Sequence, residues 1–330
     1  MKKSYELDMC NGPILGKILV FAIPLMISGI LQLLFNAADI IVVGRFTGSQ
    51  ALAAVGSTSA LINLIINLFI GVSVGANVVV ARNYGAKDYD GIHGAVHTSV
   101  LTAIWGGIIL IFVGILLARP MLEMMGTPED VINLSVLYMR IYFVGMPAFM
   151  MYNFGAAILR AIGDTKRPLY FLTLSGVVNV VLNLFFVIVF HMGVAGVALA
   201  TIISQAISAF LIILCLMKMD GPCHLDFKHL KFHPEQLKSM LRIGLPAGLQ
   251  GAIFSISNVL IQSSVNSFGS QVMAGNTAAG NIEGFVYNSM NAVYQTSLSF
   301  TSQNMGAKKF DRINKILFQC LLVVTAIGLV

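Results

Sequence analysis

The segment Ile18–Gly44, ILVFAIPLMISGILQLLFNAADIIVVG, decides the fold. A helix needs about 20 apolar residues to cross a bilayer, and this run has enough. Near its far end it carries an aspartate, Asp39. An ionisable group at membrane depth costs about 2.5–3.5 kcal/mol on insertion scales, so it marks a functional site by default. Gln32, Asn36 and Asp39 are spaced i, i+4, i+7 and form one polar face on a helix.

The rest of the chain has the same character. Of its 330 residues, 57% are hydrophobic and only 10% charged. Soluble domains carry about 25% charged residues, so this is an all-α polytopic membrane protein in contact with a lipid bilayer. The net charge is +6, but no basic run is interleaved with aromatics, which argues against nucleic acid as a partner. The cysteines, Cys10, Cys215, Cys223 and Cys320, are too scattered for a disulfide framework or a zinc site. The first apolar run is too long for a signal peptide and lacks a small-residue cleavage site.

Nine apolar segments are expected, at 18–44, 52–81, 94–118, 131–159, 168–190, 193–218, 238–266, 273–303 and 312–330. Their connections alternate in charge. Seventeen of the 20 basic residues fall in alternate connections, while Arg45 and Arg119 lie in the others and Arg140 within the fourth segment. The positive-inside rule then predicts a cytoplasmic N-terminus. The linker after Met219 contains Cys223, His224, His229 and His233, whose spacing fits no metal-ligand pattern, so a solvated loop and no metal site are expected.

The two halves repeat. Pro24, Gly29 and Asn36 match Pro246, Gly251 and Asn258, each 222 positions on. At offset 221, RNYGAKDYD (82–90) matches QNMGAKKFD (303–311). Six spans precede the second copy, so the copies share orientation and form a parallel repeat, a plan suited to two lobes rocking about a site between them. The expected division is an N-lobe six-helix bundle over 1–220, a cytoplasmic linker over 221–237 and the first half of a C-lobe over 238–330. The final residues CLLVVTAIGLV lie inside an apolar run. Twelve helices and roughly 440 residues are therefore expected of a complete protein, of which about nine helices are here.

These residues resemble the multidrug and toxic compound extrusion (MATE) family. The likeness is carried by ADIIVVGRFTGSQALAAVG (38–56), RNYGAKDYD, ILRAIGDTKRPLY (158–170), NVVLNLFFVIVFHMGVAGVALATIISQ (179–205), GLPAGLQ (244–250) and QNMGAKKFD. The resemblance implies two six-helix lobes and export of organic cations, cationic amphiphiles among them, in antiport with H+ or Na+. It also implies a cation-coupling site at Asp39, Asn179 and Thr201, as in the prokaryotic branch with an N-lobe site. That branch often has aspartate where this chain has Asn183, and one carboxylate in place of two binds sodium less strongly. A glutamate found on the seventh span in another branch has no counterpart in Ala252–Ser257.

The residues support a compatible chemistry. Ser175, Asn179 and Asn183 recur every four positions, and Thr201 shares a face with Gln205. Their amides and hydroxyls can hydrogen-bond a carboxylic acid or ligate a small cation. Pro24 leaves the Val20 carbonyl without its helix partner and makes a bend cheap, so Pro24 and its repeat mate Pro246 are the expected hinges. Candidate cleft residues are Gln32, Asn36, the stripe Glu283, Tyr287, Asn291 and Tyr294, the stripe Asn258, Gln262 and Asn266, and Met150 in a Met-rich fourth span. Glu283 reads equally well as a structural group near a helix end, Met150 as core or lipid packing, and the Asn258 stripe as interhelical glue.

The expected function is a monomeric, cation-coupled drug exporter of the plasma membrane, with no catalytic residue and no cofactor beyond the coupling ion. A lipid-linked oligosaccharide flippase of the same plan is the near alternative, but it should carry several cations in its cleft and only Arg140 is available. A membrane-embedded enzyme needs a nucleophile, metal or acid/base pair at membrane depth, which two lone carboxylates in different lobes do not make.

Overall fold

The computed structural model describes residues 5–266 and 270–329. Its helices are α1 (Ile14–Phe46), α2 (Ser49–Ala86), α3 (Tyr89–Met124), α4 (Glu129–Val144), α5 (Met146–Ala161), α6 (Lys166–Leu184), α7 (Gly193–Met217), α8 (Pro234–Asn266), α9 (Ser270–Gly306) and α10 (Phe310–Leu329). Among the described residues, six helices are long and apolar enough to span a membrane. The pair α4–α5 makes a seventh if counted as one span bent by 49°. Helices α8 and α9, with 33 and 37 residues, are long enough to span but more polar.

The break in the fourth segment, expected as one run, falls at Gly145. Pro147 follows at the start of α5 and has no N–H to continue the ladder from Phe143. The connections on the basic end are built by caps. The Asp88 side chain accepts from the Gly91 amide at 3.0 Å to start α3, and Asp164 accepts from the Lys166 and Arg167 amides at 3.1 Å to start α6. Lys87 and Lys308, 221 positions apart, both adopt left-handed backbone after α2 and α9 (φ 57° and 56°).

The 221–237 linker differs from the solvated loop expected of it. Cys223 and Leu225 are buried, the His233 amide donates to Thr98 Oγ1 at 3.1 Å, and the Asp226 amide donates to His97 Nε2 at 3.3 Å. The linker is therefore docked on α3. Cys223 and Leu225 pack inward while His224 and His229 stay exposed. Among the described residues no group of three His, Cys, Asp or Glu is placed to hold a metal, and all four cysteines are free.

The two halves meet most closely at the basic end. A Cβ on Gly71 would strike the Gly248 backbone, and one on Gly75 would strike the Met240 carbonyl, so α2 and α8 touch main chain to main chain. Ser299 Oγ donates to Asn77 Oδ1 at 3.1 Å, and Gln303 Nε2 donates to the Ala161 carbonyl at 2.7 Å, both buried. Near mid-length Asn67 Nδ2 donates to Ser255 Oγ at 2.9 Å. Beyond it, toward the other end, Asn258 on α8 and Gln32 and Asn36 on α1 are exposed. The halves are thus shut against each other at the basic end and leave these polar residues exposed toward the opposite one.

Helix α1 serves both halves. Its first turns place Ile14, Ile18 and Phe21 in a buried cluster with Val293, Phe300 and Ile316 of the second half. Phe21 and Phe300 meet edge to face at 5.6 Å. Its far half turns to α6 instead, where Phe35 fills the space that a Cβ on Gly176 would need. Pro24 lies buried between the two regimes, with Ser28 Oγ donating to its carbonyl at 2.8 Å.

Candidate functional site

Asp39 sits on the α6-facing side of α1, two turns from the end of the helix, and is only partly exposed. Asn183 Nδ2 donates to Asp39 Oδ1 and is also 3.3 Å from Asn179 Oδ1. Asn179 Nδ2 in turn donates to Thr201 Oγ1 at 3.4 Å, and that hydroxyl donates to the Val197 carbonyl at 3.0 Å. The four residues therefore form one chain of hydrogen bonds across α1, α6 and α7. Asn179 and Asn183 are buried. The Asn183 Oδ1 atom is buried too and has no partner among the described residues. A buried acceptor left unmatched is costly, so it is a place where a proton donor or cation gains most.

Sequence reasoning missed the far wall of this site. Tyr138 and Tyr142 on α4 lie within electrostatic range of Asp39, and the Tyr142 hydroxyl hydrogen-bonds the Gln205 side chain. Their rings stack at 6.0 Å. The i, i+4 spacing of the two tyrosines was the available signal. A π-helical turn over Phe185–Val189 directly follows Asn183 and shifts the register of everything beyond it. The run FFVIV gives no local hint of that turn.

The other candidates separate into groups. On α1, Gly29 and Leu33 approach Asn288 and Gly284 of α9, while Phe35 and Asp39 meet α6. At 3.6 residues per turn, Gln32 and Asn36 occupy the arc of roughly 80° between those two faces. Both are exposed, and they lie next to Asp39 on the cleft side. The opposite arc is apolar and open, with Ile23, Leu34 and Ile41 at least half exposed, as a lipid-facing side should be.

Glu283, Tyr287, Asn291 and Tyr294 are exposed and flank the face of α9 that meets α1 through Gly284 and Asn288. Their repeat counterparts, 221 positions earlier, are Ile62, Ile66, Ile70 and Ser73, of which the three isoleucines belong to or pack on the hydrophobic core of the first half. Among the described residues no hydrogen bond or ion pair joins this stripe to Asp39. Met150 is fully buried in the same core and presents no surface to a cleft. This is the packing role that a Met-rich helix most often has. The Gln262 and Asn266 side chains lie outside the described residues. Arg140 is exposed and donates to the Ile115 carbonyl on α3 at 3.2 Å, away from the Asp39 chain.

These features define a class: a polytopic all-α membrane protein, internally repeated, with a lone carboxylate held by amides inside its first half. The MatE family model matches residues 24–185 and 246–330, starting both times at the repeated proline, and the chain belongs to that family of transporters, which are not enzymes. It is 31% identical to the probable multidrug resistance protein YoeA of Bacillus subtilis, over 90% of this chain and 66% of that protein. It is 24% identical to the multidrug export protein MepA of Staphylococcus aureus, over 80% of this chain and 58% of that protein. A solved multidrug resistance MATE family transporter in an outward-facing conformation superposes with a TM-score of 0.92 at 26% identity, covering 100% of this chain and 73% of that one. The chain thus spans about two thirds or less of the length of these curated relatives.

Proposed function

We propose that the chain exports cationic drugs in exchange for protons, with Asp39 carrying the proton. The observation that carries this reading is the amide donor aimed at a lone carboxylate. Asn183 offers Nδ2, not an oxygen, to Asp39. A sodium ion needs several oxygen ligands and gains from a second carboxylate, whereas one carboxyl and an amide suffice for a proton. When Asp39 takes up a proton it becomes a donor, and Asn183 can meet it by turning its unmatched Oδ1 to the carboxyl. The two charge states then favour two amide orientations, which is a mechanical difference that α1 can transmit.

The basic end is assigned to the cytoplasm of a multi-pass plasma-membrane protein. The cleft then opens outward, matching the conformation stated for the superposed transporter. Protonation of Asp39 from outside repacks α1 about Pro24, releases cargo, and lets the lobes rock to the opposite opening. Exposed Gln32 and Asn36 line the path beside the carboxyl. The reading is tested in proteoliposomes by imposing pH and sodium gradients separately. Dye export driven by the pH gradient alone supports it; export that requires sodium contradicts the proton assignment.

A further inference from the structure

The chain segment ahead of α1 crosses the closed end of the cleft and holds both halves. On the second half, Asn304 Nδ2 donates to the Met9 carbonyl at 3.0 Å, Lys309 Nζ to the Cys10 carbonyl at 3.1 Å, and Arg312 to the Gly12 carbonyl at 3.1 Å. On the first half, Tyr84 donates to Glu6 Oε2 at 3.0 Å, and the Arg167 guanidinium lies 5.3 Å from the centre of the Tyr5 ring. The Leu7 backbone rests on Gly163, where a Cβ would collide with it. Hollows of about 340 Å³, lined by Tyr5, Phe21 and Gly163, and about 840 Å³, lined by Asp8, Tyr84 and Lys309, adjoin this crossing, so the strap is held by discrete anchors and not by solid packing.

We propose that Tyr5–Gly12 is a latch that holds the basic end shut and opens on its first-half side. The direction follows from the two sets of anchors. The second-half set fixes backbone carbonyls and continues into Ile14, Ile18 and Phe21, which are buried with Phe300 and Ile316. The first-half set is one hydroxyl bond, one cation–π contact and one backbone touch. Exposed contacts of that kind are each worth about 0.5–1.5 kcal/mol, so they are the ones that thermal opening breaks. When the halves part at this end, the strap rides with the second half and α1. The inference rests on the rocking described above, but its test does not depend on cargo or coupling ion.

Ser299 is buried between the halves and bonded to Asn77, so a cysteine there reacts only when the basic end opens. The test uses S299C in a background with the four native cysteines replaced by serine, and follows labelling by a small water-soluble maleimide. Tyr5→Ala with Tyr84→Phe should raise the labelling rate about tenfold, at an unchanged melting temperature. Tyr5→Phe, which keeps the ring over Arg167, should leave it near the parent rate. Glu6→Ala provides a second, exposed single change, with an expected rise of a few-fold. Labelling that stays at the parent rate in both Y5A/Y84F and E6A overturns the latch.

Discussion

Asn183 donates its amide to the Asp39 carboxylate while its own buried oxygen meets no partner among the described residues. The pair joins α1 to α6. Replacing Asn183 by Asp changes the chemistry, because two adjacent carboxylates resist double ionisation unless a cation sits between them. The N183D variant should become responsive to sodium, seen as dye export that rises with sodium at constant pH. A variant as indifferent to sodium as its parent would contradict the one-carboxylate reading.

Pro24 separates the part of α1 packed on α9 from the part packed on α6. Pro24→Ala returns an N–H to the Val20 carbonyl and stiffens the helix. The protein should unfold at a higher temperature yet export more slowly, by several-fold, because the bend now costs a hydrogen bond of about 1 kcal/mol. Parallel melting and export measurements check the opposite signs.

Two glycines of α2 should respond in opposite directions. Gly71 faces the Gly248 backbone, whereas an added Cβ on Gly56 meets nothing within 4 Å. Gly71→Ala should cost about 1–3 kcal/mol through overpacking. Gly56→Ala should gain about 0.5–1 kcal/mol of helix stability. Thermal unfolding in detergent separates the two.

Burial works against ionisation of Asp8, but bonds from the Asn11 side chain and the Cys10 amide, with Lys17 nearby, hold its carboxyl below the ordinary value of 3.8. A depressed folded-state value means the stabilisation is complete above the unfolded value and is lost only as pH falls through the folded one. Asp8→Asn should therefore lower the melting temperature slightly at neutral pH and converge with the parent in strong acid. A gap that persists in acid would show that the effect is not ionic.

Much of the architecture was legible in sequence because it follows from long-period signals. Length, apolarity and alternation of charge fix which stretches are helices, and the repeated Pro24/Pro246 and GAK motifs fix the parallel duplication. What was not legible depends on register between distant helices. The kink at Gly145 needs Pro147 to outweigh a continuous apolar run. The π turn after Asn183 leaves no mark in FFVIV. Beyond their i, i+4 spacing, Tyr138 and Tyr142 carry no sign in sequence of their place near Asp39, which depends on how α4 packs against α2 and α7. Glu283 looked like a partner for cations by its stripe of aromatics, and the stripe is exposed beside the α1-facing residues of α9, but nothing in sequence says how far it lies from Asp39. Met150 could not be told from a cleft residue without knowing which face of α5 is buried.

The central claim is that the Asp39 carboxyl exchanges the proton that drives export, and an isosteric neutralisation tests it most directly. Asp39→Asn, reconstituted and energised by a pH gradient alone, should lose gradient-driven dye export by at least about 100-fold while still folding and binding dye. Export by that variant at the parent rate under the same gradient would contradict the account.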